Sequence, residues 1–172
     1  HVIAGQVVGR TMAEQGAEVL HLARPVDYEY DALWADTAVG FRSAWMELTD
    51  KEYVAKARDI IKGADVVVEN FRGRKIAELG LSAQTAAEIR PGIIYTSIRG
   101  FGWTGPWSQR GGFDMDANCC SGFTVLEGSE DAPKLPPTVV LNDYLAGYLT
   151  AAGTVAALIR RAQYGGSYHV RT

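Results

Sequence analysis

Residues 64–73 read ADVVVENFRG. Three consecutive valines between acidic neighbours are what a parallel strand covered on both faces requires, since β-branched side chains suit a pleated surface and a strand buried on both sides shows no polar alternation. The residues on either side agree. Upstream, TDKEYVAKARDIIKGA (49–64) places Tyr53, Val54, Ala57, Ile60 and Ile61 at helical spacing, with Thr49 or Asp50 as the cap and Gly63 as the stop. Downstream, a helical stretch runs through the eighties to Arg90, and PGIIYTSIRGFG (91–102) gives a second strand followed by a glycine-rich turn. Strand, helix, strand in this order predicts an α/β fold, with a Rossmann-like, mostly parallel sheet and flanking helices.

Farther out the pattern repeats less cleanly. HVIAG (1–5) reads as the tail of a strand running into a turn, then residues 6–15 as a short helix ending at Gly16, and GAEVLHLARP (16–25) as a strand stopped by Pro25. The polar stretch Asp27 to Thr37 reads as a loop or irregular helix, and AWMELT (44–49) as a short strand. From Gly102 the chain turns rich in glycine and aromatic residues, with one short helix expected near Asp114, and EGSEDAPKLPPT (127–138) is a turn-rich loop. LNDYLAGYLTAAGTVAALIRR (141–161) is a long helix of small and apolar residues expected in the core, and YHVRT (168–172) begins another strand. The expected organisation is a single domain over 1–172, divided into a sheet-and-helix core (1–126), a loop (127–140) and the closing helix with the start of a strand (141–172).

Bulk properties exclude several classes. Of 172 residues, 47% are hydrophobic and 22% charged, which is a globular composition. A formal charge of −3 gives no general attraction to phosphate backbones, so no nucleic-acid partner is expected. The apolar run Leu145–Ile159 is too short to span a bilayer and is closed by Arg160 and Arg161, so no membrane partner is expected either. The only cysteines, the adjacent Cys119 and Cys120, lack metal-ligand company and read as buried small residues in a reducing, cytoplasmic compartment. His1, His21 and His169 are scattered, and no metal is expected.

Ligands in open α/β sheets gather at the carboxyl ends of the strands, which draws attention to Arg24, Asn70, Phe71, Arg72 and Arg99. Gly5-x-x-x-Gly9 could cradle a phosphate but matches neither nucleotide fingerprint, and packing is the simpler reading. Asp114 and Asp116 read as helix-starting caps. Asn142 or Asp143 could cap the long helix, and the positive end of its dipole would favour an ionised Asp143.

Taken in order, AEQGAEVLHLARP, ADVVVENFRG, LGLSAQTAAEIRPGIIYTSIRGFGWTGP, GGFD and NDYLAGYLTAAGTVAALIRRAQYGGSYHV resemble the class III CoA-transferase family, which includes formyl-CoA and carnitine CoA-transferases. The resemblance spans nearly the whole chain, is weaker between Asp27 and Ser43, and covers about the N-terminal half of a typical member. It implies a truncated portion of a larger CoA-transferase fold and a transfer of CoA between an acyl-CoA and a carboxylic acid. Asp143 would be the nucleophile, passing through an aspartyl anhydride and an aspartyl-CoA thioester. The coenzyme A pocket would use Ile3, Ala4, Arg24, Met46, Asn70, Phe71, Leu79 and Phe113, and the full-length protein would be a homodimer. Two departures stand out: no proline follows Phe71-Arg72, and Glu78 occupies a position where relatives carry a basic residue, with Arg74 or Lys75 as nearby substitutes. The related α-methylacyl-CoA racemases look like Gly-His-Asp where this chain has Gly112-Phe113-Asp114; phenylalanine moves no proton, which favours the transferase. A non-catalytic CoA-binding fragment or a split subunit is the alternative from a different class.

Overall fold

The computed structural model describes residues 3–24, 31–138 and 140–172. Its elements, in order, are α1 (Ile3–Glu14), β1 (Val19–Ala23), α2 (Asp31–Thr37), β2 (Phe41–Trp45), α3 (Lys51–Gly63), β3 (Val66–Glu69), α4 (Lys75–Glu78), α5 (Ala83–Ile89), β4 (Ile94–Ser97), α6 (Asp114–Cys120), α7 (Phe123–Glu127), α8 (Leu141–Tyr164) and β5 (Tyr168–Arg171). All strand pairs are parallel: β1 with β2, and β3, β4 and β5 in that order. This is the Rossmann-like α/β arrangement expected, drawn as two neighbouring parallel ribbons.

Several local expectations change. Ile3 and Ala4 are not a strand end; they form the first turn of α1, which starts earlier than the 6–15 pattern suggested because Ile3, Ala4, Val7 and Val8 are all buried. His1, Val2, Pro25 and the first part of the polar stretch lie outside the described residues, and Asp31–Thr37 is helical. Asp50 caps α3, accepting from the Glu52 N–H at 2.8 Å, and the helix runs through Gly63 to end at Ala64. The valines of β3 are only half-buried, whereas every residue of β4 is buried; the central strand is thus the one spelled IYTS.

The two faces of β4 carry different helices. Tyr95 packs with Ala57, Ile61, Leu81, Ala86 and Ile93, the cluster made with α3 and α5. Thr96 bonds to Thr154 of α8 at 3.1 Å, and Ile98 joins Ala4, Val8 and Ala151 on that side. Alternation along one strand therefore sorts the helices to opposite faces.

The directions of α1 and α8 decide where the site lies. In α1, Gly5 lies against Asn70 just past β3, while Gly9 meets Val19 and Phe41 at the starts of β1 and β2. In α8, Ala151 is level with Ile98 past the end of β4, whereas Arg161 bonds to Asp65 and to the Gly92 carbonyl, before β3 and β4. Both helices therefore begin at the carboxyl edge and run to the amino edge. They lie side by side because Gly147 admits Val7 and the Ala4 carbonyl; a Cβ there would sit 2.5 Å from Val7. Gly5 and Gly9 serve the same close packing and are no phosphate loop. α8 is not wholly core: Leu145, Leu149 and Ile159 remain exposed, because its buried stripe, Gly147, Thr150, Ala151, Thr154 and Ala157, is narrow. Cys119 and Cys120 are exposed at the end of α6, contrary to expectation, since that helix turns Asp114 and Asn118 inward instead.

Gly147→Ala is expected to cost about 1–3 kcal/mol by overpacking against α1. A lowered urea midpoint with an unchanged slope is the measurement that checks it.

Candidate functional site

α8 begins without a cap of its own. Its N-cap is Val140, in the left-handed conformation at φ 59°, and neither Asn142 nor Asp143 takes the capping role. The orphan donors are met by another element. The carboxylate of Asp114, at the first position of α6, accepts the backbone N–H of Asn142 and, at 3.2 Å, that of Asp143. Its other oxygen accepts from Asn118 Nδ2 at 2.6 Å, one turn along α6, and Asn118 Oδ1 accepts from Asn142 Nδ2 at 2.8 Å. Asp114 and Asn118 are buried, so a closed polar network replaces water at this helix end. Asp116 caps its own helix, accepting from the Phe113 N–H at 2.9 Å.

Asp143 stands beside this network, half-buried in the first turn of α8. Its carboxyl pKa is pushed up to about 6, by burial first and by the negative charge of Asp114 second. That reverses the direction expected from the dipole alone. Burial penalises the charged form and the Asp114 carboxylate adds like-charge repulsion, while two N–H groups of this helix end are bonded to Asp114 instead.

The carried-over pocket residues fall into groups. Ile3 and Ala4 form the N-terminal turn of α1 at the carboxyl edge and are buried as whole residues, at 4% and 6% exposure. Asn70 covers Gly5 of the same helix, and Phe71 follows it. Phe113 is 57% exposed immediately before Asp114, which ties it to the Asp143 end. Arg24 is exposed past β1, and Met46 follows β2 with its N–H bonded to the Ala23 carbonyl at 2.8 Å. Met46 and Leu79 pack against the Tyr95 cluster. Lys75 pairs with Glu78 at 3.8 Å, so that cation is drawn toward the acidic residue.

A separate cavity of about 420 Å³ opens beside β4 and β5, lined among others by Glu69, Ser97, Arg99, Trp103, His169 and Arg171. It contains neither Asp143 nor any carried-over residue. Among the described residues, no group of His, Cys, Asp or Glu is arranged to hold a metal ion, and no helix is long and apolar enough to cross a membrane. Sequence reasoning missed the partnership of Asp114 with α8 and the importance of Asn118. The Asp-x-x-x-Asn spacing, which puts both side chains on one face of α6, was the available signal.

With the edge and its carboxylates located, comparison with known proteins is decisive. The profile of CoA-transferase family III matches residues 1–172. The chain belongs to CoA-transferase family III. This family III chain is 32% identical over 174 residues to the acetyl-coenzyme A transferase nodX of Hypoxylon pulicicidum, covering 98% of this chain and 29% of that protein. It is 31% identical over 176 residues to the succinyl-CoA:glutarate CoA-transferase of Homo sapiens, covering 95% of this chain and 40% of that protein. The solved structure of a CaiB/BaiF family protein from Brucella suis superposes with a TM-score of 0.90 at 30% identity, over 99% of this chain and 49% of that one. The family III chain thus spans less than half the length of the curated relatives it matches.

Asp114→Ala removes a cap worth about 0.5–2 kcal/mol and strands the buried Asn118 amide at a further cost of about 1–3 kcal/mol. A fall in unfolding free energy within that combined range, measured in urea, is expected. Asp143→Asn should act oppositely. A carboxyl whose folded pKa lies above its unfolded value binds its proton more tightly when folded, so stability falls as pH rises from the model-peptide range through about 6. Removing the charge is therefore expected to stabilise at pH 7, on the order of 1 kcal/mol after solvent screening of a half-exposed group. The gain should vanish below the ordinary aspartate range, as unfolding curves at several pH values will show.

Proposed function

We propose that the protein transfers coenzyme A from an acyl-CoA to a carboxylic acid, with Asp143 as the nucleophile. The observation that carries this reading is a half-buried carboxylate in the first turn of α8, at the carboxyl edge where α1 also begins, in a chain of CoA-transferase family III. Relatives bearing names such as succinyl-CoA:glutarate CoA-transferase support the reaction class.

The steps follow from carboxylate chemistry. An ionised oxygen of Asp143 attacks the thioester carbonyl; the new C–O bond replaces the C–S bond, leaving a mixed aspartyl-acyl anhydride and CoA thiolate. The thiolate then attacks the aspartyl carbonyl of the anhydride, expelling the donor carboxylate and leaving an aspartyl-CoA thioester. An acceptor carboxylate attacks that thioester and regenerates an anhydride and the thiolate. Attack of the thiolate on the acceptor's carbonyl yields the new acyl-CoA and frees Asp143. No net proton is taken up. With a pKa of about 6, Asp143 is mostly ionised at neutral pH and more basic than a solvated aspartate, which favours attack.

Arg24, past β1, is suited to a phosphate of the coenzyme, since a guanidinium makes bidentate contacts with phosphate oxygens. Asn70, Phe71 and Phe113 provide polar and apolar contacts at the same edge. Met46, Leu79, Ile3 and Ala4 complete the proposed wall. Phe113 offers no proton for chemistry at an α-carbon, so transfer rather than racemisation is the reading kept. The whole protein is proposed to work in the cytoplasm as a homodimer.

Asp143→Ala is expected to abolish transfer, and hydroxylamine trapping during turnover with an acyl-CoA should label the peptide carrying Asp143. Unchanged turnover in that variant would remove Asp143 from the mechanism. The rate for free enzyme and substrate should rise with pH through about 6 as Asp143 loses its proton. In Asp114→Asn that limb should move to lower pH, because a negative neighbour has been removed. A pH profile of kcat/KM for both proteins checks the sign.

A further inference from the structure

The coenzyme A reading makes the loop after β3 a binding element, and residues 70–73 are gripped from several sides. Asn70 is pressed against the first turns of α1, where a Cβ on Gly5 would lie 3.3 Å from its amide carbon. The Arg72 guanidinium lies against Gly111, so close that a Cβ there would sit 2.3 Å from its Nε. Two further contacts come from charged side chains to which the proposed mechanism gives no role. Glu69, buried at 7% exposure, accepts the Phe71 N–H at 2.9 Å. Arg99, just past β4, donates from Nη2 to the Gly73 carbonyl and stacks on Trp103, its carbon centre 3.9 Å from the ring centroid.

Glu69 lies across the sheet from Ser97, which is bonded in turn to His169. Arg171 Nε donates to His169 Nδ1 at 3.3 Å, which leaves the proton of a neutral imidazole on Nε2. Burial, with Arg171 and Arg99 nearby, pushes His169 down to about 4, so the ring is neutral at pH 7. Nε2–H then donates to Ser97 Oγ at 2.9 Å, and Ser97 is the cross-strand neighbour of Glu69. This is no activated serine, because an imidazole with its proton on Nε2 has no free lone pair there for the Ser97 proton.

We propose that Glu69 and Arg99 are positioning residues that hold residues 70–73 in the conformation that receives coenzyme A. The proposal rests on the coenzyme A reading above. Neither side chain touches the reacting atoms; both act through the loop, Glu69 at Phe71 and Arg99 at Gly73.

The test uses the full chain in two measurements. In the ligand-free protein, Glu69→Ala is expected to speed amide exchange at Phe71 by about tenfold or more while Ile94–Ser97 stay protected. With coenzyme A, Glu69→Ala and Arg99→Ala should each weaken binding about tenfold by calorimetry, the cost of ordering a loosened loop at the moment of binding. KM for the acyl-CoA should rise with kcat retained, and Arg99→Lys should recover part of the affinity because it keeps a cationic donor. If Glu69→Ala does not fold, Arg99→Ala, at a half-exposed position, carries the same exchange test at residues 72–74. Unchanged exchange together with affinity within twofold would overturn the proposal. Should the wild-type chain fail to bind coenzyme A, the functional reading falls, and the exchange result alone decides whether the clamp exists.

Discussion

The carboxylate of Asp114 is the constraint on which the site depends. A helix of 24 residues, about 36 Å long by its rise, ends with several N–H groups that cannot bond within the helix. Leaving them dry would be costly, and the chain meets the need with a buried acid from a different helix. That choice fixes the glycine- and aromatic-rich segment against α8, since α6 can cap it only when Asp114 and Asn118 both face inward. It also fixes the electrostatics of Asp143, which lies next to a fixed negative charge and away from free donors.

Small residues make the arrangement possible at the scale of the whole fold. Gly147 lets α8 lie on α1, Gly5 lets Asn70 lie on α1, and Gly111 lets Arg72 lie on the segment leading to Asp114. Each close approach occurs near the carboxyl edge or on the path to it. Two parallel helices thereby present their N-termini at one edge, beside the loops that follow the strands. This is the familiar consequence of parallel α/β topology, where helices return antiparallel to strands and begin at the edge on which ligands gather.

Much of this was legible in the amino-acid order, and what was not has a physical cause. IIYTS and the alternation of helix and strand marked the sheet, and Thr49-Asp50 marked the start of α3, with Asp50 the residue that caps it, because those signals are local. The start of α1 was misread because Ile3 and Ala4 are apolar enough for a strand, and only packing against α8 shows them to be the buried face of a helix. Asp143 stood out by family resemblance, but its electrostatic setting did not. The dipole argument treats a helix end as an isolated object, whereas the partner of these N–H groups comes from 28 residues upstream. Cys119 and Cys120 failed for a related reason, since the inward face of α6 was set by the long-range bonds of Asp114 and Asn118 rather than by hydrophobicity.

The cost of the Asp114 cap is also its chemical use. A free helix terminus would lower the pKa of Asp143 and make its anion abundant but weakly basic; burial beside Asp114 does the reverse. In the proposed mechanism, where Asp143 attacks a thioester and is later released, the useful compromise is a group basic enough to attack yet ionised at neutral pH. Burial first, and then the fixed negative charge of Asp114, lift Asp143 toward that compromise. Structural stability and the proposed reactivity are thus linked through Asp114, whose carboxylate holds two backbone N–H groups of α8 and whose charge adds to the effect of burial on Asp143.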